Sequence, residues 1–137
     1  MATRGSIAVM NEDGSVIGIY SHWDNYISNN GKILMKNFNS EEQTRELISL
    51  GDISSLGDIS TPEIDALREV KAYHRDRGED FEGVKPRKFD TYELFLSKYK
   101  DEYNYLFLDG NWAVIGYDDD QILLSEAIED EENKRGA

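Results

Sequence analysis

Residues 103–115 read Tyr103-Asn104-Tyr105-Leu106-Phe107-Leu108-Asp109-Gly110-Asn111-Trp112-Ala113-Val114-Ile115, two β-rich runs around an Asp-Gly pair. Asp and Gly both tolerate positive φ, which a two-residue turn needs if its twist is to match that of the strands it joins. This is the clearest hairpin in the chain, and its second run extends to Tyr117. A companion lies at the other end, where Ser6 to Met10 and Ser15 to Tyr20 flank Asn11-Glu12-Asp13-Gly14. In the first run Ile7 and Val9 alternate, and in the second Val16, Gly18 and Tyr20 oppose Ile17 and Ile19. Each strand therefore has a face to bury.

The region between the hairpins reads as helical at first. Helical spacing begins at Ile33, Leu34 and Phe38. A second helix starts from an Asn39-Ser40 cap with Glu41, Glu42 and Gln43 in its first turn, carries Leu47, Ile48 and Leu50, and stops at Gly51. The tetrapeptide Gly-Asp-Ile-Ser then occurs twice, at 51–54 and 57–60. Two copies do not make a solenoid, and the segment reads as a capped loop that tucks Ile53, Leu56 and Ile59 under neighbouring helices. Leu67 to Arg75 fits helix or strand, and the alternation of Val70, Ala72 and His74 favours strand. Residues 76–88, rich in Gly and charge, read as a mobile loop with a short strand at the end. Asp90 is the expected cap of a short helix with Tyr92, Phe95, Leu96 and Tyr99 on one side. A last apolar patch, Ile122 to Leu124 with Ala127 and Ile128, leads into an acidic tail. The expected fold is α+β: an antiparallel sheet built from two β-hairpins with two to three helices packed on one face. Residues 1–128 form a single globular domain in this reading, and 129–137 a flexible acidic tail.

Composition narrows the function classes. The chain has 137 residues, no cysteine, and 28 acidic against 15 basic side chains, a net charge of −13. It has no thiol chemistry and no disulfide framework. It carries no apolar run near the ~20 residues of a membrane span and no basic-then-apolar leader pattern, so a cytoplasmic protein without a membrane partner is expected. Direct nucleic-acid binding is disfavoured, because phosphate contacts need a basic surface. The charge is also uneven. Residues 1–100 are nearly balanced, whereas 118–132 hold eight carboxylates and no basic residue, beside Trp112 and Tyr117. Between Arg68 and Lys88 lie seven cations, available to the tail or to an anionic partner.

Few residues suggest chemistry directly. In His22-Trp23-Asp24 an imidazole and a carboxylate sit two residues apart, a spacing that suits an acid–base pair, with Tyr26 close by. The plainer alternative makes Trp23 and Tyr26 core plugs and leaves His22 and Asp24 to cap backbone groups. No metal or other cofactor is expected. His74 is the one other histidine, and a calcium loop begun at Asp118 places Ile122 and Leu123 where an oxygen ligand and a glycine belong.

The segments Thr3-Arg4-Gly5-Ser6-Ile7-Ala8, Tyr20-Ser21-His22-Trp23-Asp24-Asn25-Tyr26, Asn30-Gly31-Lys32-Ile33-Leu34, Leu50 to Gly57, and Glu102 to Phe107 followed by Asp109-Gly110-Asn111-Trp112 together resemble a family of small proteins carried by bacteriophages and prophages. The likeness spans most of residues 3–115. That family carries Gly after the His-Trp-Asp tripeptide where Asn25 stands here, and Asn also accepts positive φ. The resemblance implies a phage context and no particular reaction. By analogy with other small phage accessory proteins, the resemblance implies action by binding a host factor, a defence system of the CRISPR or restriction type among them. Two functions follow as expectations. One is an inhibitor that docks on a host or defence-system protein through Asp118, Asp119, Asp120, Glu129, Asp130, Glu131 and Glu132, with Trp112 and Tyr117, in acidic imitation of nucleic acid. The other is a small enzyme or ligand-binding protein with its site at His22, Asp24 and Tyr26.

Overall fold

The computed structural model describes residues 3–99, 101–116 and 120–136. The first hairpin pairs β1 (Gly5–Met10) with β2 (Val16–Ser21), Ile7 opposite Ile19. A π-helical turn at Ile27–Gly31 runs into α1 (Lys32–Asn37), and α2 (Glu41–Ser49) follows, capped by a Ser40 side chain that accepts the Gln43 N–H. Short pieces fill the middle: β3 (Ile53–Ser55), α3 (Ala66–Glu69), β4 (Lys71–Ala72), α4 (Tyr73–Arg77), α5 (Phe81–Val84) and β5 (Arg87–Phe89). After α6 (Tyr92–Lys98) comes the second hairpin, β6 (Tyr103–Leu108) with β7 (Asn111–Ile115), then β8 (Gln121–Leu123) and α7 (Leu124–Gly136). Asp109 and Gly110, at φ 50° and 78°, make the tight turn that the sequence predicts.

The fold is α+β. Among the described residues the eight strands join one sheet in the order β4-β3-β2-β1-β6-β7-β8, with β5 beside β2. Most pairs are antiparallel. The exceptions are β2 with β3 and, at the centre, β1 with β6, where Gly5 pairs with Tyr103 and Ile7 with Tyr105. The two hairpins therefore meet along a parallel seam. Both seam strands are buried on each face: Ile7, Val9, Tyr105 and Phe107 point one way, Ala8 and Leu106 the other, and the one buried polar pair, Ser6 and Asn104, is hydrogen-bonded at 2.8 Å. A strand buried on both faces belongs in the middle of a covered sheet.

Helices α1, α2 and α7 cover the first face through Ile33, Leu34, Phe38, Leu47, Ile48, Leu124 and Ala127. A further helix, α6, covers the opposite face, packing Phe95 and Tyr99 against Ala8, Val16, Leu106 and Ile115. Its cap is Thr91, whose hydroxyl accepts the Leu94 N–H, and not Asp90. Leu67 to Arg75 is also not one strand. Val70 and Ala72 are fully buried at strand spacing, but β3 offers pairing only at Ile53 and Ser55, and the chain turns helical on both sides. Residues 76–88 contain α5 and lead into β5. Ile53 and Leu56 are buried as expected, whereas Ile59 is exposed. Helix α7 runs through residue 128 without a break, because buried Leu124 and Ala127 and the 3.1 Å Lys32–Glu132 ion pair hold it to the body.

Gly5 is the tightest point of the seam. A Cβ there would run into the Tyr103 carbonyl and lie 2.7 Å from Asn25 Cγ. Gly5→Ala is expected to cost about 1–3 kcal/mol in urea unfolding, the usual range for overpacking. A loss within the error of wild type would mean that the seam is looser than the structure implies.

Candidate functional site

The polar loop after β2 carries the most unusual sequence, and the backbone explains its shape. The N–H groups of His22 and Trp23 donate to Ile53 and Ser54 carbonyls, so the strand-like pairing continues past Ser21. Positive φ falls on Asp24, at 58°, and not on Asn25. Asn25 serves instead through its side chain, which is fully buried. Its Nδ2 donates to the carbonyls of Thr3 at 2.8 Å and Ser21 at 2.9 Å, and its Oδ1 accepts from Asn30 Nδ2 at 2.9 Å. Asn30 Nδ2 also reaches the Trp23 carbonyl, and the Tyr105 hydroxyl donates to the Asn25 carbonyl. Buried amides satisfied this completely fix a loop's conformation.

What the locked loop displays is aromatic. Trp23 is 43% exposed and Tyr26 40%, so neither is a core plug. The His22 ring packs edge-on against Trp23 at 4.7 Å, and its Nδ1 shares a 2.7 Å hydrogen bond with the Tyr20 hydroxyl. The turn that follows Tyr26 packs against α7. Along α7, Glu129, Asp130 and Glu132 are exposed and Glu131 is half-buried, with Asp120 exposed just before β8. Burial, and then the charges of Glu131 and Glu102, push the Tyr103 hydroxyl up. The helix and the start of β6 thus contribute to one negative field. Tyr117, Asp118 and Asp119 lie outside the described residues. Trp112, expected at this surface, belongs to the core: it is 2% exposed and its indole N–H donates to the Phe38 carbonyl at 3.0 Å. An aromatic run on a central hairpin strand needs a partner on each face, and Trp112 meets α1 on one of them.

None of His22, Asp24 and Tyr26 lines any of the principal clefts among the described residues. A cleft of about 420 Å³ opens beside Tyr20 instead, and neither Asp24 nor Tyr26 lines it. Tyr20, Phe89 and Tyr99 form its walls, Asp52 and Arg87 its base, Lys98 and Asp101 its rim. The Asp52 carboxylate accepts the Tyr20 N–H at 2.8 Å and Arg87 Nη1 at 3.1 Å, and the same Nη1 lies 3.1 Å from the Tyr99 hydroxyl. Burial raises Asp52 and Asp101 above the usual aspartate range and pushes Tyr20 and Tyr99 up as well. The sequence gives one trace of this site, Asp52 in the repeated tetrapeptide. Three further cations of the basic middle segment are paired close to home: Arg68 with Asp65, Arg75 with Asp76, Lys85 with Glu82.

No protein-family model matches the chain, and neither a curated protein nor a solved structure does. No helix among the described residues is long and apolar enough to cross a membrane.

Two predictions follow from this geometry. Because Asn25 acts through its amide and not through its φ, Asn25→Gly should lower unfolding free energy by about 2–3 kcal/mol, the penalty for stranded buried partners. Asp24→Gly should be neutral or mildly stabilising, since glycine relieves the left-handed backbone. The reverse ranking in chemical denaturation would overturn the assignment. For Asp52, a carboxyl raised by folding holds its proton more tightly in the folded chain than in the unfolded one. Its stabilising contribution is complete below the unfolded pKa and declines as pH rises through the folded value. Wild type should therefore lose stability relative to Asp52→Asn as pH rises above about 4, the unfolded aspartate value. A relative gain would mean that attraction to Arg87 outweighs burial.

Proposed function

We propose that this chain is a small accessory protein that works by docking on a basic protein partner, with Trp23 and Tyr26 as anchors and the carboxylates of α7 as the steering surface. One observation carries the reading: a network of fully satisfied buried amides immobilises a loop whose two largest side chains stay in water. Exposed aromatics on a rigid support are what interface hot spots are made of, because they bury much area and lose little entropy on binding. The partner's charge follows from the surroundings. Glu126, Glu129 and Asp130 recur at helical spacings of three and four, which sets neighbouring carboxylates roughly 5–6 Å apart. Such a row offers a basic groove the same sign of charge that a nucleic-acid backbone would.

The partner in this reading is a host factor in the cytoplasm, and the resemblance to phage-borne proteins makes a defence-system component with a nucleic-acid groove the first choice. The chain contacts that protein and not nucleic acid or membrane. An enzyme built on His22, Asp24 and Tyr26 has less support, since His22 Nδ1 is already engaged by Tyr20 and the other two side chains do not line the neighbouring cleft.

Affinity capture from a host lysate with the tagged protein, at low and at high salt, tests the proposal. Trp23→Ala should weaken capture of the partner by about 2 kcal/mol, roughly 30-fold, and the pair Glu129→Lys and Asp130→Lys should abolish its salt dependence. The captured protein should lose nucleic-acid binding when the complex forms. Capture that is indifferent to both sets of substitutions sinks the idea.

A further inference from the structure

The cleft on the α6 side of the sheet has no role in docking through the loop and α7. Its walls are three aromatic rings, Tyr20, Phe89 and Tyr99, with Phe89 and Tyr99 set edge-to-face at 5.7 Å. Its base is an ion pair that is only partly used up. Asp52 holds one edge of the Arg87 guanidinium through Nη1, while Nη2 has a single long contact, 3.4 Å to the Gly83 carbonyl, and the side chain stays half-exposed. Lys98 stands at the rim, and among the described residues no carboxylate lies within ion-pair distance of it. Arg4 is close enough to pull the Tyr20 and Asp101 ionisations down against burial. Arg87 and Lys98 line the cleft together with Asp52, which is spent on Arg87, and Asp101, and Arg4 acts on Tyr20 and Asp101 from outside that lining.

We propose that this cleft binds a small planar aromatic anion, of the class represented by a nucleoside monophosphate. The ring lies among Tyr20, Phe89 and Tyr99, and the anionic group meets the free edge of Arg87 and the Lys98 ammonium, with Arg4 adding to the field. Asp52 is the positioning residue, since its carboxylate and the Tyr20 N–H fix where the guanidinium fork points. An arginine so held loses little freedom when it binds a second oxyanion. Asp52 and Tyr99 are buried, and the low dielectric beside them strengthens charge pairing with Arg87. A volume near 420 Å³ falls in the range of ordinary small-ligand pockets.

The cleft carries a reporter. Trp23 packs on His22, whose Nδ1 is bonded to the Tyr20 hydroxyl in the wall, so occupancy should perturb Trp23 fluorescence. Titration calorimetry with adenosine 5′-monophosphate, adenosine and inorganic phosphate, each to about 1 mM, tests the site. The monophosphate should bind at least about tenfold more tightly than either fragment. Lys98→Glu, on an exposed helix end, should weaken it at least about tenfold with thermal stability unchanged, and Arg4→Glu should weaken it less. Phosphate binding as tightly as the monophosphate would overturn the aromatic part of the proposal. No binding of the monophosphate by wild type, or binding that Lys98→Glu and Arg4→Glu leave unaltered, would overturn the site. Trp23→Ala should retain calorimetric binding, which separates failure here from failure of the docking proposal.

Discussion

Asn25 is the point on which the architecture turns. Its backbone N–H and side-chain Nδ2 both reach Thr3, Nδ2 also closes on Ser21, Oδ1 takes the Asn30 amide, and its carbonyl takes the Tyr105 hydroxyl. These partners belong to the lead-in to β1, the end of β2, the approach to α1 and the start of β6. A buried amide with even one group unpaired is costly, and one with every group paired imposes a single arrangement. The parallel seam and the aromatic loop are therefore one unit: Gly5 leaves room for Asn25, and Asn25 fixes the loop that displays Trp23 and Tyr26. The same burial pushes the Tyr105 hydroxyl well above the usual tyrosine range, so it remains a donor to Asn25 throughout ordinary pH.

Strand β2 connects this lock to the cleft by simple alternation. Ile19 enters the core under α1 and α2, Tyr20 faces the α6 side, Ser21 is fully buried beside Asn25, and His22, still paired to β3 through its N–H, returns to the side of Tyr20. The Tyr20–His22 hydrogen bond is thus a consequence of period two and needs no special turn. It also explains why His22 and Asp24 do not cooperate. The left-handed residue at Asp24 ends the alternation, and the carboxylate leaves the direction that the imidazole follows.

Much of the fold was legible because it rests on local rules. The Asp109-Gly110 turn, the alternation in both hairpins and the Ser40 cap all act within a few residues, and each appears where the sequence places it. The seam was not legible, since which strand lies beside β1 is decided by what can cover two apolar faces at once. The repeated Gly-Asp-Ile-Ser makes the limit concrete. In the first copy Asp52 is buried against Arg87 and the Tyr20 N–H, and Ile53 is core. In the second, Asp58 closes a local turn on Ser60 and Ile59 faces water. Identical residues meet different surroundings, so no local reading separates them. The cleft is the same case at larger scale, because Tyr20, Asp52, Arg87 and Tyr99 come from four distant segments. Trp112 fails in the opposite direction: an acidic run begins six residues after it in sequence, but its neighbours in space are Phe38 and Phe107.

Helix α7 gives the net charge of −13 a structural meaning. Carboxylates at spacings of three and four repel one another, by a few tenths of a kcal/mol per pair on an isolated helix, and an acidic segment left alone would unwind. Here the repulsion is opposed from one side. Leu124 and Ala127 are buried against the turn and β7, and Lys32 of α1 reaches Glu132. The carboxylates Glu126, Glu129 and Asp130 are therefore held in fixed positions on the outer side. An ordered charged row loses less entropy on association than a flexible tail of equal charge, so the same number of charges does more for binding when the fold holds them. The restraint depends on α1, α1 follows the turn after Tyr26, and that turn is fixed by Asn25 and Asn30. The acidic row and the exposed aromatics are consequently coupled through the buried amides, and loosening those amides should disorder both surfaces together.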